Sequence, residues 1–226
     1  MIIKQPLFVY NFTMKKATKK EIEELKALFI ERYDDATTEL NYKNAYELLI
    51  AVILSAQCTD KRVNLITPAL FEKYPTPKAL SKAHIEDVKE IIKSCSFFNN
   101  KAKNIIEMAK KVVELYNGEI PLNEKDLMTL EGVGQKTANV VMIEYTGANL
   151  MAVDTHVFRV SHRLGLSSDK TAIKTEATLA KIFKTNLHSL HQGMVLFGRY
   201  VCKAKNPKCD ECFATAYCKT KESFKV

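Results

Sequence analysis

The amino-acid sequence predicts an all-α protein, and three observations carry that prediction. Apolar residues recur at helical spacing along nearly the whole chain, no stretch alternates with the period of a half-buried strand, and cap residues punctuate the apolar runs. With 226 residues there is enough chain for one large or two small domains. A composition of 46% hydrophobic and 27% charged residues excludes a disordered polypeptide.

Taken in order, residues 1–17 read as an N-terminal extension, either a floppy arm or a stretch from an upstream start. Its apolar core is short and broken by Lys4, Gln5 and Pro6, with no small-residue cleavage site behind it, so it does not read as a signal peptide. Thr18-Lys-Lys-Glu21 is a capping box, followed by Ile22, Leu25, Leu28 and Phe29 at helical spacing. Asn44-Ala-Tyr-Glu47 has a similar cap pattern. The run behind it, Leu48 to Leu54, is apolar on every face, which predicts a central buried helix too short to span a bilayer. Pro68 is expected to divide the stretch Asp60 to Tyr74, with Thr67 capping a new helix and Pro68 at its first position.

A long amphipathic helix is predicted from about Lys101 to Tyr116, closed by Asn117-Gly118 in a left-handed cap. Then come Glu124 to Leu130, a glycine turn, and Gln135 to Thr146 ended by Gly147. Later helices are predicted over Thr155 to Leu164, Lys174 to Phe183 and His188 to Val201. There is no internal repeat and no low-complexity linker.

A formal net charge of +8 favours a polyanionic partner, of which nucleic acid is the commonest; anionic membranes and plain solubility are compatible with it too. Six cysteines in a reducing cytoplasm argue for metal ligation or burial rather than disulfides. Cys58 and Cys95 stand alone and read as small buried or half-buried side chains, whereas Cys202, Cys209, Cys212 and Cys218 crowd the end.

Leu130-Glu-Gly-Val-Gly-Gln-Lys-Thr-Ala138 lies between an amphipathic helix and an apolar one. Gly132 and Gly134 are expected to take positive φ, reversing the chain in few residues and leaving no side chain to hold a phosphate away. Val133 would plug the hairpin, and the first N–H groups of the next helix, around Thr137, would face an anion. That is a way to grip a nucleic-acid backbone without reading its sequence. Considered alone, the turn fits an ordinary glycine-capped corner equally well.

Lys136 sits in the first turn of that next helix. Its plain role is to bind phosphate; a sharper one is nucleophilic attack, which needs the free amine. At an unperturbed pKa near 10.4 only about one lysine in a thousand is neutral around pH 7.4. The positive end of a helix dipole disfavours an ammonium, and partial desolvation is expected to act the same way. Asp154, in Met151-Ala-Val-Asp-Thr-His156, precedes an apolar helix and reads as its N-cap. A capped carboxylate stays ionised, which makes it a poor proton acceptor but a good partner for positive charge developing at a sugar carbon.

The spacing Cys202-x6-Cys209-x2-Cys212-x5-Cys218 wraps either a tetrahedral zinc ion or a cubane iron–sulfur cluster. Zinc sites more often show two C-x2-C knuckles, and here only the middle pair has that form.

These residues together resemble the endonuclease III family. The similarity rests on Leu130-x-Gly-Val-Gly-x-Lys-Thr-Ala138, on Val153-Asp-Thr-His-Val-Phe-Arg159 and on the four-cysteine spacing, and it covers nearly all of the chain after about Lys15. Two positions depart from the family pattern: Glu131 stands where proline is usual, and Gln135 where arginine is frequent. The resemblance implies a helix-hairpin-helix DNA glycosylase fold, two helical domains flanking a DNA-binding cleft. One is a six-helix barrel over residues 38–148, the other an iron–sulfur domain made of 18–37 plus 149–226. It implies Lys136 as Schiff-base nucleophile and Asp154 as its acidic partner, meeting across the cleft. It implies a [4Fe–4S] cluster on Cys202, Cys209, Cys212 and Cys218.

For DNA binding it implies the turn residues Gly132, Val133, Gly134 and Thr137, and phosphate contacts from Lys203, Lys205 and Lys208. Gln57 would enter the gap left by a flipped base, although it also fits a plain water-facing position; Phe97 would be a wedge, although an aromatic pair is more often core. The implied activity is base-excision repair: removal of oxidised pyrimidines from duplex DNA, and cleavage at abasic sites by β-elimination. The expected partner is double-stranded DNA bearing damaged bases or abasic sites, engaged by a monomer in the cytoplasm, on the nucleoid, with no membrane. The alternatives are a monofunctional adenine-type glycosylase, whose family typically lacks a lysine at position 136, and a non-catalytic DNA-binding iron–sulfur protein.

Overall fold

A computed structural model describes residues 15–221. Among them are eleven α-helices, two short 3-10 turns and no β-strand. The helices are α1 Lys19–Tyr33, α2 Ala45–Ser55, α3 Asp60–Lys73, α4 Pro77–Leu80, α5 Ile85–Ile92, α6 Phe98–Tyr116, α7 Glu124–Leu127, α8 Gln135–Thr146, α9 Thr155–Arg163, α10 Ala172–Phe183 and α11 Leu187–Tyr200. Of the extension expected over 1–17, residues 1–14 lie outside the described residues, while the Ala17 N–H donates to Gly165 O at 2.9 Å.

Local chemistry starts most of these helices where it was expected. Thr18 and Glu21 form the full capping box of α1, and Asn44 caps α2 through the Glu47 N–H. α2 is buried from Leu48 to Leu54 and packs against α3, α6 and α8, so it is the axis of the first core. Asn117 (φ 51°) and Gly118 (φ 84°) close α6, and Gly147 (φ 67°) closes α8, all in left-handed backbone.

Pro68 does not divide its stretch. α3 runs unbroken through it, and Thr67 is buried inside the helix instead of capping a new one. Val63, Ile66 and Leu70 are buried on both sides of the proline, and that apolar stripe outweighs the one hydrogen bond the ring removes. Pro68 itself faces outward. Two helices absent from the sequence reading, α4 and α5, fill the chain between α3 and α6. Thr76 caps α4 with Pro77 at its first position, and Val88 and Ile92 bury one face of α5. α7 is shorter than expected, because Leu130 turns back onto Leu127 O.

Two hydrophobic cores result. One, rich in Leu, Ile and Val, gathers α2 to α8. The other gathers α1 and α9 to α11 with Ala214, and its centre is aromatic: Phe29 meets Phe197 and Phe213 edge-on, with ring centroids 5.3 and 5.2 Å away. Both cores contribute to one cleft.

Candidate active site and nucleic-acid interface

The glycine turn links α7 to α8. Gly132 adopts φ 80°, a backbone that favours glycine, and a Cβ there would also crowd the Asn104 side chain at 3.1 Å. Gly134 does not take the positive φ expected of it. It is the N-cap of α8 in extended backbone (φ −98°), and a Cβ added to it would meet nothing within 4 Å. Its smallness leaves open space in front of the helix. Val133 is buried in the first core, as a hairpin plug should be. Gly134 offers no side-chain cap, so the first-turn N–H groups up to Thr137 are left for an outside acceptor. Gln135 turns away from that acceptor position, donating to Glu124 Oε1 (2.8 Å) and Asn139 Oδ1 (2.7 Å). Asn139 in turn reaches Met151 O (3.1 Å) and Glu176 Oε1 (3.0 Å), which ties the hairpin to α10.

α9 begins in the opposite way. Asp154 caps it with one carboxylate oxygen, Oδ1, that accepts from the His156 and Val157 N–H groups, both at 2.8 Å. Lys136 and Asp154 border the same cavity of about 70 Å³, together with Ser55, Asp60, His191 and Arg199. Lys136 is exposed and Asp154 half-buried. The burial of Lys136 expected from the sequence is therefore not supplied by the protein alone.

His191 escaped the sequence reading. It is 2% exposed, and its Nδ1–H donates to Ala152 O at 2.8 Å, which leaves Nε2 as the acceptor of a neutral ring. Burial pushes the imidazole down to about 4; Asp154 opposes that shift and Lys136 adds to it. The ring is thus neutral at physiological pH in the cavity it shares with Lys136 and Asp154. Arg199 was also missed. It bridges Asp60 (2.8 Å) and Glu39 at the rim, joining α11 to the start of α3. The only local signal for either residue was a polar group on an otherwise apolar helix face.

Gln57 and Phe97, the two loop residues singled out from sequence, are both exposed, Phe97 by 61%, so Phe97 is not a core aromatic. Both sit in left-handed backbone, at φ 55° and 58°, a conformation uncommon without glycine. The buried Lys101 ammonium binds Leu54 O (2.7 Å) and Ala56 O (2.6 Å), tying the loop of Gln57 to the start of α6, directly after Phe97.

Cys202, Cys209, Cys212 and Cys218 line one cavity beside Arg163. Among the described residues, no three His, Cys, Asp or Glu side chains are grouped so as to hold a single metal ion. Burial, followed by the neighbouring thiols, pushes Cys212 up to about 11; the backbone at Ala214 opposes this. Arg163 Nη1 donates to Cys202 Sγ (3.3 Å) and Lys203 O (2.7 Å), while Nη2 donates to Ala204 O (3.2 Å). Lys203, Lys205 and Lys208 are exposed on the following loop, with Lys208 paired to Glu211 at 3.3 Å.

A family model described as HhH-GPD superfamily base excision DNA repair protein matches residues 50–185, from α2 through the hairpin and α9 into the loop after α10. The chain belongs to that superfamily. Within it, the endonuclease III branch is shown by full-length relatives. Endonuclease III of Rickettsia conorii is 45% identical over 198 residues, 87% of this chain and 94% of that protein. Endonuclease III of Escherichia coli K12 is 41% identical over 84% of this chain and 90% of its own. A solved structure described as a trapped endonuclease III–DNA covalent intermediate superposes with a TM-score of 0.87 at 42% identity, covering 92% of this chain and 98% of that one. A thermostable thymine-DNA glycosylase, 24% identical with a TM-score of 0.82, shares the fold. In this family member no described helix is long and apolar enough to cross a membrane.

Proposed function

We propose that this chain is a bifunctional DNA N-glycosylase and AP lyase of the endonuclease III type, acting on oxidised pyrimidines and abasic sites in duplex DNA. The observation that carries the reading is the shared cavity of Lys136 and Asp154 beside the uncapped start of α8. In this reading a backbone phosphate lies on the N–H groups behind Gly134, flanked by Gly132, Val133 and Thr137. The Lys136 amine attacks C1′ of the extruded nucleotide and the base departs with the glycosidic electron pair; the C1′–O4′ bond then opens, O4′ takes up a proton as a hydroxyl, and the nitrogen, having lost its proton, forms the imine. Loss of a C2′ proton then drives β-elimination and cuts the strand on the 3′ side of the sugar. Asp154, held in place by two N–H groups, stabilises the positive charge that develops at C1′. Gln57 and Phe97 fill the duplex where the nucleotide has left it, and both are exposed for that purpose.

The four cysteines fit a [4Fe–4S] cluster. They are all free, they line one cavity, and an arginine lies against Cys202 to offset thiolate charge. The two cores support a division into a barrel domain over 38–148 and a cluster domain of 18–37 plus 149–226. When bound, the cluster would clip the loop of Lys203, Lys205 and Lys208 in place for phosphate contact. A location in the cytoplasm, on the nucleoid, would give this activity access to its DNA. The adenine-type and non-catalytic readings are not favoured, because a lysine stands at position 136.

Borohydride trapping on an abasic-site duplex tests the reading. The wild-type protein gives a covalent adduct, and Lys136→Ala lowers its yield more than about a thousandfold. A folded Lys136→Ala protein that traps like wild type would remove the lyase role from this residue. The same preparation is expected to be brown, with iron and labile sulfide in near-equal amounts; a colourless, zinc-loaded and fully active protein would overturn the cluster.

A further inference from the structure

Cys58 and Cys95 are 37 positions apart in sequence, yet their Sγ atoms stand 3.5 Å from each other. Both are free, and neither belongs to the four-cysteine cavity or to the chemistry of the cleft. Cys58 directly follows Gln57, and Cys95 lies two residues before Phe97. The pair therefore bridges the two exposed loops at their bases, beside the Lys101 ammonium that already links them. Cys58 is partly exposed, while Cys95 is buried. A disulfide has its sulfurs about 2.05 Å apart, so closure asks for roughly 1.5 Å of approach, shared between the two side chains and the loop bases that carry them.

We propose that Cys58 and Cys95 form a reversible disulfide site that couples peroxide exposure to the two loops entering the DNA. The Cys58 thiolate attacks hydrogen peroxide, the O–O bond breaks, and a sulfenic acid forms on Cys58 with loss of one water once a proton is taken up. The Cys95 sulfur then attacks Sγ of Cys58; the S–O bond breaks, and the departing hydroxide leaves as a second water with the Cys95 proton. Two thiols give up two electrons, and one peroxide becomes two waters. A small thiol reductant reverses the step by exchange, so the disulfide is transient in a reducing cell.

Burial, then contact with Cys58, raises the Cys95 thiol to about 11, while Lys101 and Arg62 oppose the rise. The second attack is therefore slower than that of an ordinary thiol, and peroxide concentration enters through the first step alone. Drawing residue 58 onto residue 95 changes the spacing of Gln57 and Phe97, and affinity for a damaged duplex falls. This consequence rests on the reading that both loops enter DNA.

The test uses the cluster-loaded protein, graded hydrogen peroxide, alkylation of remaining thiols and peptide mass spectrometry, with the visible absorbance of the cluster followed in parallel. A Cys58–Cys95 linked peptide is expected before the cluster absorbance declines. Affinity for an abasic-site analogue duplex falls about tenfold with it, and both effects reverse with dithiothreitol. Cys95→Ser keeps its affinity through the same treatment. Absence of the linked peptide, an unchanged affinity when it forms, or an equal loss in Cys95→Ser would each overturn the proposal. If the reduced Gln57→Ala/Phe97→Ala protein binds the duplex like wild type, the loop reading fails instead, and the linked peptide still reports on the site alone.

Discussion

The two helices whose first turns meet at the cleft begin in opposite ways. α9 is closed by a carboxylate that satisfies two of its N–H groups at 2.8 Å, whereas α8 starts from a glycine with empty space before it. The same backbone feature, a bundle of orphan N–H groups, is thus spent internally in one helix and left for a guest in the other. The cleft acquires a capping carboxylate and a set of uncapped N–H groups side by side, with Lys136 on the uncapped helix. That is the polarity a sugar–phosphate needs: phosphate on the open helix end, cationic sugar carbon toward the carboxylate.

Removing charge from the closed helix should have the largest effect. Asp154→Asn keeps a competent cap, so stability stays within about 0.5 kcal/mol by chemical denaturation, while base release slows about a hundred- to a thousandfold. Asp154→Ala loses the charge and the cap together, and should add a destabilisation of about 1–2 kcal/mol. Equal stability of the two variants would show that Asp154 is not holding α9.

His191 lies between the two helix starts and feels both. Its folded pKa, about 4, is below the unfolded 6.5, so the stability it contributes is complete above pH 6.5 and is lost as pH falls toward 4. Thermal or urea unfolding across that window should lose roughly 3 kcal/mol, and His191→Asn should flatten the curve. A wild-type profile flat between those values would mean the ring is not held neutral.

The smallest change closes the open helix. Gly134→Ser supplies a side-chain cap in unobstructed space, so stability should rise by a few tenths of a kcal/mol while duplex affinity falls about three- to tenfold. Affinity that rises along with stability would place the phosphate elsewhere.

Both helix starts were legible because their determinants are local: a glycine before α8 and an aspartate before α9, each adjacent to the helix it starts. Gln135–Thr146 has the bounds its flanking glycines indicated. Pro68 misled for the converse reason, since a local breaker was overruled by burial of Val63, Ile66 and Leu70 elsewhere in the core. Gly134 misled more subtly. Glycine suggests positive φ, but here its value is the missing side chain. His191 and the Cys58–Cys95 contact were not legible, because each acquires its meaning only from residues that the fold brings alongside.

α9 has one further consequence. Its nine residues make a rod of about 13.5 Å, with Asp154 fixed at the front and the Arg163 guanidinium fastened at the rear to the carbonyls of residues 203 and 204 and the sulfur of Cys202. The tail segment and the proposed reaction centre are therefore the two ends of one lever. Proteolytic nicking near Lys205 should tilt that carboxylate and slow turnover, although every group that touches the sugar is still present.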